Sequence, residues 1–409
     1  MKDETKALVP RLRFPEFRDV GEWEETSLGS CLSKHPEYGI NAPSVPYAEN
    51  LPTYLRITDI SDNGQIRQEQ KVSVAKEVTE ENYLEEGDIV LARTGASVGK
   101  AYKYRTRDGR LVFAGFLIRV RPEEEKLNSE LLFQFLFSEQ YWRWVAFCSA
   151  RSGQPGINGN EYASLPLHLP PQLKEQQKIA DCLSSLDALI AAHIKKLEAL
   201  TTHKKGLMQQ LFPREGETVP RLRFPEFRDV GEWEEKTLAE SCRLQAGKFV
   251  RASDIHEKAE ADRYPCYGGN GLRGYTLTCT HSGAYPLIGR QGAQCGNVNL
   301  VHGKFHATEH AVVVSPYQGV NTTWIFYQLI RMNLNQYATG QAQPGLSVEN
   351  LDKLIVRIPT NENEQQEIAD CLSSLDTLIT AHTKKLETLK THKKGLMQQL
   401  FPNPEAVGS

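Results

Sequence analysis

Residues 176–213, QQKIADCLSSLDALIAAHIKKLEALTTHKKGLMQQLFP, return as residues 365–402 at an offset of 189, with 32 of the 38 positions unchanged. A shorter stretch, VPRLRFPEFRDVGEWEE at residues 9–25, returns letter for letter at residues 219–235, at an offset of 210. The segment between the two repeats differs strongly between the halves and is 21 residues (210 minus 189) shorter in the second half. The chain therefore contains one plan twice: short repeat, variable body, long repeat.

Each long repeat predicts a single helix. No proline occurs between Pro171 and Pro213 or between Pro359 and Pro402, and these four prolines stand where a helix would begin and end. Apolar residues recur at alternating steps of four and three, which is the seven-residue seam of a coiled coil. In the first copy, and 189 residues later in the second, the seam consists of Ile179, Leu183, Leu186, Ile190, His193, Leu197, Leu200, Lys204, Leu207 and Leu211.

Two matching seams in one chain predict that the helices pair. Each seam needs an apolar partner and the other copy is its complement, so we expect an intramolecular antiparallel coiled coil. For either copy alone, a long helix packed on a globular body is the alternative. A helix of about 39 residues at ~1.5 Å per residue spans ~58 Å, enough to hold two domains well apart. His193 and Lys204 interrupt the seam; we expect them at solvent-facing ends of an imperfect stripe, where they could set the register.

Length and composition are those of an ordinary globular protein. At about 150 residues per domain, 409 residues suggest two or three domains, and 40% apolar with 24% charged residues exclude wholesale disorder. Forty-eight Lys and Arg against 51 Asp and Glu give a net charge of -3, so any polyanion site must be local. Eight irregularly spaced cysteines, no secretory signal and no run approaching 18 apolar residues predict reduced thiols in a cytoplasmic protein without membrane spans.

The two variable bodies share anchor points despite their different sequences. Residues 91–100 (LARTGASVGK) align with residues 288–297 (IGRQGAQCGN), and each segment follows a short apolar run. The glycines of both segments therefore predict a loop at the end of a strand. The matched residues are Arg93 and Arg290, Gly95 and Gly292, Ala96 and Ala293, and Gly99 and Gly296.

Both bodies also end alike. Gln154-Pro155-Gly156 matches Gln343-Pro344-Gly345 at the offset of the long repeats, and a short apolar strand, a proline and the helix follow each turn. Earlier in each body a helical stretch, at residues 129–147 and 322–334, accompanies several short strand-like runs. Each body is therefore predicted to be α+β.

No stretch of the sequence has both the letters and the setting of a common catalytic motif. Gly95 and Gly99 have three residues between them where a phosphate-cradling P-loop needs four, and Ala101 stands where that loop needs Ser or Thr. Residues 95–99 (GASVG) and 269–274 (GNGLRG) fit the letters GxSxG and GxGxxG, but no helical pattern follows either stretch, as the nucleophile elbow and the dinucleotide fingerprint require. The second body holds several Cys and His residues but no CxxC pair, and His306 to His310 lacks the HExxH order. We therefore expect no catalysis and no bound metal or cofactor in this chain.

Basic and amide side chains of the bodies are candidates for contacts to DNA. Between Arg93 and Arg121, eight basic residues face the single acid Asp108, a local excess of seven. This excess favours a phosphate grip over its alternative, a solvated charged surface. The second body offers a Gly-rich polar loop at residues 267–273, and arginine or amide side chains can read base edges. The candidates are Arg56, Arg93, Thr94, Lys100, Lys103, Arg105, Arg107, Arg110, Asn270, Arg273, Arg290, Gln291 and Asn297.

Together these features resemble the specificity subunit of type I restriction-modification systems. The resemblance rests on the order of the parts: a variable body, a QPG turn, a Leu-Pro-rich strand, an EQQ-x-IAD-x-L-x-x-LD helix, and then the same again. It covers nearly the whole chain. It includes the body motifs YLRITDI from Tyr54, YPCYGGNG from Tyr264, and RxGAxxG from Arg93 and Arg290.

The resemblance implies a fold and an order of domains. Both bodies would be target recognition domains of mixed α/β structure, at residues 1–171 and 213–359. The long repeats would be spacer helices, at residues 172–212 and 360–402, followed by a tail at residues 403–409. The fold class would be α+β: two target recognition domains separated by a pair of long antiparallel coiled-coil helices, with a pseudo-twofold internal repeat.

The resemblance also implies a function. Specificity subunits are non-catalytic; they bind a bipartite double-stranded DNA target and recruit two modification (methyltransferase) subunits and, in the full complex, two restriction subunits, for phage defence. S-adenosylmethionine, ATP and Mg would belong to those partners, with no cofactor in this chain. Because the bodies differ, we expect two different half-sites in an asymmetric target, with a gap set by helix length. The alternative function is a non-catalytic coiled-coil scaffold that presents two ligand-binding domains.

Overall fold

The chain forms two compact units. The computed structural model describes residues 8–67, 71–150, 155–292, 295–340 and 345–402. One unit is Met1–His193 with Lys385–Ser409, and the other is Ile194–Lys384. Both boundaries fall inside a long helix, so each unit contains one variable body, the first half of the helix that follows it, and the second half of the other helix.

The first unit combines short strands with short helices. Its helices are α1 (Ser129–Phe135), α2 (Glu139–Ser149), α3 (Gly159–Ala163) and the start of α4 (Leu173–Gln210). Its strands are β1 (Glu24–Ser27), β2 (Glu37–Tyr38), β3 (Ser44–Pro46), β4 (Thr53–Leu55), β5 (Val72–Val74), β6 (Ile89–Ala92), β7 (Ala101–Lys103), β8 (Leu111–Phe113), β9 (Leu117–Val120) and β10 (Pro166–Leu169). They form sheets in the orders β2-β9-β6-β7 and β3-β5-β4-β8 and the pair β1-β10, antiparallel throughout except for the parallel neighbours β4 and β8.

The second unit has the same parts around a larger sheet. Its helices are α5 (Leu238–Ser241), α6 (Thr322–Arg331), α7 (Val348–Asp352) and the start of α8 (Glu362–Leu400). Its strands are β11 (Glu234–Thr237), β12 (Cys242–Ala246), β13 (Tyr264–Gly268), β14 (Gly271–Thr276), β15 (His281–Gly289), β16 (Val298–Ala307), β17 (Ala311–Pro316) and β18 (Ile355–Ile358). Six strands form one sheet, β12-β17-β15-β16-β13-β14, and β11 pairs with β18 as β1 pairs with β10. The predicted α+β class is confirmed.

The predicted helices are confirmed with two corrections, of which the smaller is that the stretch predicted at residues 322–334 ends as a helix at Arg331. Each long repeat is a single helix, α4 or α8. The stretch at residues 129–147, predicted as one helix, is two, because the Ser138 side chain accepts a hydrogen bond from the Tyr141 N–H and caps a new helix. The boundaries of the five predicted domain segments stay a prediction, since the compact units divide the chain inside the helices.

The helix halves run antiparallel within each unit. In the first unit, Asp187 of α4 pairs with Lys393 of α8, while Leu183, earlier in α4, shares a core cluster with Met397, later in α8. All ten seam positions of both copies are buried or partly buried. The expectation that the seam lysines are solvent-facing ends is wrong: the Lys393 side chain is 14% exposed and ion-paired. An ammonium inside the seam needs such a carboxylate partner.

A buried ion pair joins the two repeated segments of each unit. Arg13 of the short repeat donates from Nε and Nη2 to both carboxylate oxygens of Glu175, at 2.8 and 2.7 Å. Arg223 binds Glu364 in the same way at 2.7 and 2.7 Å. All four side chains are nearly inaccessible to solvent. The two-pronged geometry holds the start of each long helix against the short repeat that begins the same body.

Other predictions concern thiols, metals and membranes. All eight cysteines lie in described segments, and none of them forms a disulfide. Among the described residues, no three His, Cys, Asp or Glu side chains are grouped to hold a metal ion. Every helix in the described part of the chain is too short or too polar to cross a bilayer.

Candidate nucleic-acid interface

The loops that carry Arg93 and Arg290 make the same backbone hydrogen bonds in the two units at the residues that are described. Each arginine directly follows a buried strand end, that of β6 or β15. The Arg93 N–H donates to the Phe116 carbonyl at 3.0 Å, and its own carbonyl accepts from Ile157 at 2.8 Å. The Arg290 N–H donates to the His310 carbonyl at 3.1 Å, and its carbonyl accepts from Leu346 at 2.9 Å. The predicted equivalence of these loops is therefore confirmed.

Glycines close both loops at the predicted positions. Gly99 and Gly296 each have φ of +87°, a backbone conformation that favours glycine. Each donates a hydrogen bond back to the last residue of its strand, Ala92 at 2.9 Å or Gly289 at 2.7 Å. A Cβ on Gly296 would lie 2.4 Å from the Asn335 nitrogen, so no larger residue fits there. The loop is thus folded tightly over the end of its strand.

The predicted QPG turns lie only partly in the described residues. Gln154, Gln343 and Pro344 fall outside them, as does Ala293 of the aligned loop. The glycines of the turns are described, and they meet the arginine loops in the same way: Gly156 forms a β-bridge with Thr94, and Gly345 forms one with Gln291. Each arginine loop is therefore held between a turn and a strand end.

Both arginines keep a buried guanidinium nitrogen without a protein partner. Nε of Arg93 and Nε of Arg290 are inaccessible and have no hydrogen-bond partner among the described residues. The Arg93 guanidinium lies over the Tyr38 ring, 4.9 Å from its centroid, which orients the charged group without using its hydrogen-bond donors. Nε itself is closed to solvent, but both arginines are half-buried, and neither guanidinium forms a hydrogen bond or ion pair with the described residues, so their terminal nitrogens are the donors left for an acceptor.

Several other basic candidates of the first unit are ion-paired within the protein. Lys103 is 8% exposed and donates to Glu130 at 3.0 Å. Arg105 lies 3.8 Å from the same carboxylate and 5.6 Å from the Phe133 ring centroid. Burial raises the pKa of the Glu130 carboxyl, but Lys103, the Gln134 amide and Arg105 outweigh it and hold that pKa below its ordinary value. The role predicted for Lys103 is therefore corrected: its buried, paired ammonium stabilises the fold.

Two further candidates hold acidic partners from the same unit. Lys100 forms an ion pair of 2.6 Å with the exposed Asp62. Arg56 binds Asp59 through Nε at 3.1 Å and Nη2 at 2.8 Å, and the same carboxylate accepts from the Arg56 N–H at 2.8 Å. Exposed pairs such as the one of Lys100 contribute little to stability and exchange readily for other anions. Lys100 thus stays a candidate, whereas Arg56 is held in a local turn.

The predicted local excess of seven positive charges is not a surface property. Arg119 is 3% exposed and lies 2.7 Å from Glu37 and 3.5 Å from Asp88. Arg121 also binds Asp88, at 2.9 Å. A count from Arg93 to Arg121 misses these acids because both lie outside it, Asp88 just before the stretch and Glu37 in a distant segment. The interpretation of the whole stretch as a phosphate grip is wrong for these residues.

At the other end of the stretch two candidates stay exposed. Arg110 lies over the Tyr83 ring, 4.0 Å from its centroid, and forms an exposed ion pair of 2.6 Å with Glu80. Arg107 is exposed and makes no hydrogen bond or ion pair with the described residues. Among the predicted basic candidates of the first unit, Arg107 and Arg110 therefore stay available to a phosphate, together with Arg93.

In the second unit, the Gly-rich turn and the arginine loop lie side by side and carry the other candidates. Gly269 of the Gly-rich turn packs against Gly289, where an added Cβ would lie 2.2 Å from the Gly269 carbonyl oxygen. Asn270 and Arg273 are exposed beside this turn. The remaining candidates, Gln291 and Asn297, are exposed on the loop after β15. The structure thus brings the predicted turn and the predicted arginine loop together.

Two residues of this surface escaped prediction. Phe116 is 60% exposed in the turn that accepts the Arg93 N–H, and His310 occupies the same place beside Arg290. A phenylalanine next to a strand predicts a core position, and a lone histidine carries no signal of its own. Only the alignment of the turns at residues 114–117 and 308–311, each closed by a hydrogen bond from its last residue to its first, could have found them.

Comparisons with known proteins identify the family. The family model described as the type I restriction modification DNA specificity domain matches residues 31–202 and 231–391. The specificity subunit of the type I restriction enzyme EcoprrI from Escherichia coli is 34% identical over 338 residues, 81% of this chain and 82% of that protein. The MjaVIII specificity subunit from Methanocaldococcus jannaschii is 23% identical over 430 residues, 98% and 96% of the two chains. The crystal structure of the type I restriction-modification S subunit from M. genitalium has a similar fold, with a TM-score of 0.69 at 15% identity over 97% of this chain and 100% of that one.

The chain belongs to the family of type I restriction-modification DNA specificity subunits. Its role is DNA recognition within a restriction-modification complex, and the catalytic activities belong to other subunits. The alternative of a scaffold for ligands other than DNA is not favoured. The predicted family and class of function are therefore confirmed.

Proposed function

We propose that each unit binds one half of a bipartite, asymmetric double-stranded DNA target. The observation that carries this proposal is the repeated loop with its unpaired arginine: the same backbone hydrogen bonds present Arg93 and Arg290, and the half-buried guanidinium of each forms no hydrogen bond or ion pair with the described residues. Arginine binds phosphate oxygens and guanine edges through several donors at once. Two such loops on bodies of different sequence support two different half-sites.

The other accessible candidates complete each proposed contact surface. In the first unit Thr94, Lys100 and Arg105 are partly exposed, and Arg107 and Arg110 are exposed. In the second unit the exposed candidates are Asn270, Arg273, Gln291 and Asn297. Basic side chains would bind phosphates and set the position on the duplex, while amide side chains would read base edges. With a net charge of -3, the chain would bind DNA weakly without its partner subunits.

The long helices would set the gap between the half-sites. Each is a continuous helix of 38 or 39 residues. At ~1.5 Å per residue such a helix spans close to 60 Å. The number of base pairs between the half-sites would then depend on helix length.

The remaining parts of the complex follow from family membership. We propose that the chain assembles with two modification subunits and, for restriction, with two restriction subunits in the cytoplasm. S-adenosylmethionine, ATP and Mg would be bound by those subunits. This chain would supply target recognition and no catalytic group.

Alanine variants of the two arginines test the proposal. We expect Arg93→Ala and Arg290→Ala each to weaken methylation of the cognate target at least tenfold. We also expect DNA binding by the assembled wild-type complex to weaken steeply as the salt concentration rises. Arg243→Ala, an exposed arginine on β12, is the matched control. Assembly with the modification subunit, measured by size-exclusion chromatography, should persist in all three. Loss of assembly would make the arginines structural, and unchanged methylation would contradict the proposed interface.

A further inference from the structure

Two positions on the shared loop backbone differ between the units in a way that suits base recognition. One position follows the arginine: Thr94 in the first unit and Gln291 in the second. The other gives its carbonyl to the arginine N–H: Phe116 or His310. The β-bridge from Thr94 to Gly156 recurs from Gln291 to the equivalent glycine, so the backbones correspond while the side chains do not.

These side chains lie at the surface above a buried frame. All four residues of β6 beneath Thr94 and Phe116 are buried. The Phe116 side chain is nevertheless 60% exposed, and the His310 side chain is 42% exposed. A largely exposed phenylalanine gains little from folding and is available to a ligand. Gln291 is exposed as well.

In the second unit the exposed amide is held in one orientation. His310 Nδ1 lies 2.7 Å from the Gln291 side-chain oxygen, and His310 Nε2 lies 3.3 Å from a Glu309 carboxylate oxygen. When both ring nitrogens carry a proton, Nε2 donates to Glu309 and Nδ1 donates to the Gln291 oxygen; the Gln291 amide nitrogen then keeps its donors for another acceptor, and the amide oxygen keeps one lone pair. Glutamine with one donor and one acceptor to offer matches the N7 and N6 edge of adenine in the major groove.

In the first unit the same two positions offer no such amide. Thr94 has a short hydroxyl side chain, and Phe116 presents an aromatic face beside Arg93. Apolar side chains recognise the thymine methyl group, which is the apolar feature of the major groove. Equivalent positions on the loop that the two units share would therefore select different bases.

We propose that Thr94 with Phe116, and Gln291 with His310, are the corresponding specificity-determining pairs of the two units. Phe116 contacts a thymine methyl group in the half-site of the first unit. Gln291 contacts the N7 and N6 edge of an adenine in the half-site of the second unit, and His310, backed by Glu309, is a positioning residue that orients the amide. This inference rests on the proposed function and deepens it to named positions in each half-site.

Reciprocal exchange of the pairs tests the inference in the assembled modification complex. The double variant Gln291→Thr with His310→Phe and the double variant Thr94→Gln with Phe116→His are each produced with the modification subunit, and genomic methylation is mapped by single-molecule sequencing. We expect each variant to change its preference at one base pair of one half-site, by about 5- to 100-fold in relative methylation, with the other half-site unchanged. Unaltered preference in both exchanges would overturn the inference.

Single substitutions separate positioning from a merely structural role. His310→Asn retains a side-chain donor near the place of Nδ1, so this variant should largely keep the base preference, whereas His310→Ala should relax it at that one position. His302→Ala, an exposed histidine of β16, is the control. Equal preference in the two His310 variants would contradict the role given to this histidine. Failure of the proposed function is distinguishable, because the wild-type complex would then methylate no bipartite motif at all.

Discussion

Lys393 donates hydrogen bonds to both carboxylate oxygens of Asp187, at 2.6 and 2.7 Å, and so joins the second half of one long helix to the first half of the other. In the second unit the two helices exchange roles, and Lys204 binds Asp376 at 2.5 Å. Each aspartate also accepts a hydrogen bond from the body of its own unit, from Gln134 at 2.8 Å or from the Tyr327 hydroxyl at 2.7 Å. The repeat thus builds the same three-way junction in both units.

Charge reversal tests this junction in the first unit. Lys393→Asp would place two carboxylates together in a partly buried seam, and we expect it to lower the free energy of unfolding by on the order of 2 kcal/mol. Adding Asp187→Lys should recover at least half of that loss, because the pair is restored with its polarity reversed. Urea denaturation measures both. Lys385→Asp, exposed on the same helix, is the control and should change little. A double variant no more stable than the single would contradict the pairing.

Lys103 and Arg107 should separate stability from DNA binding. Lys103→Met leaves the Glu130 carboxylate without its main partner, so we expect a loss on the order of 3 kcal/mol in unfolding free energy. Arg107→Ala removes an exposed charge that pairs with none of the described residues, so stability should stay within about 0.5 kcal/mol while DNA affinity of the complex falls and its salt dependence weakens. Urea denaturation measures the stability of both variants, and DNA-binding titrations at two salt concentrations measure their affinity and its salt dependence. The reverse pattern would contradict the structural role given to Lys103.

Acid should destabilise the first unit partly through Glu130. Its pKa is held below the ordinary value in the folded state, because its cationic and amide partners outweigh the effect of burial. The stabilisation is therefore fully present above the unfolded pKa of ~4.3 and is lost as the pH falls below it toward the folded pKa. Glu130→Gln should lower the urea midpoint at pH 7 and flatten its decline in acid. Glu125→Gln, an exposed acid, is the control. Parallel curves for wild type and Glu130→Gln would refute the assignment.

Helix length should control the gap in the target. Four extra helical residues near residues 197–200 and 386–389 are expected to lengthen the tolerated spacer and leave both half-sites unchanged. Methylome sequencing of the variant gives the answer directly. Altered half-sites with an unaltered gap would rule out this role for the helices.

The sequence predicts those features that depend on local physics. The seam from Ile179 to Leu211 follows from its spacing and from flanking prolines, and the loops at Arg93 and Arg290 follow from glycines whose positive φ other residues avoid. Charge at the surface is different, because it depends on partners far away in the chain. Lys103 finds Glu130, and Arg119 finds Glu37, 27 and 82 residues away. Such pairs have no local pattern.

The equivalent exposed residues Phe116 and His310 show the other limit of prediction. Their equivalence depends on two turns that have the same backbone hydrogen bond but different sequences, so an alignment of the sequences does not reveal it. The break of the helix at Ser138 is intermediate: a serine can cap a helix or lie within one, and only packing decides. Sequence patterns therefore predict the helices and loops of each unit. The residues of the contact surface can be identified only from the three-dimensional structure.

The most direct test of the central claim is a chain in which both bodies are the first one. The ends of each body are joined by equivalent hydrogen bonds, from the Leu28 N–H to the Leu165 carbonyl at 2.9 Å and from the Leu238 N–H to the Leu354 carbonyl at 2.8 Å. Residues 28–165 can therefore replace residues 238–354 and meet nearly the same helix residues. Methylome sequencing of cells that carry this chain and its modification subunit should reveal a target with the first unit's half-site on both sides of the gap. Retention of the original asymmetric target would contradict the claim that each unit reads one half-site.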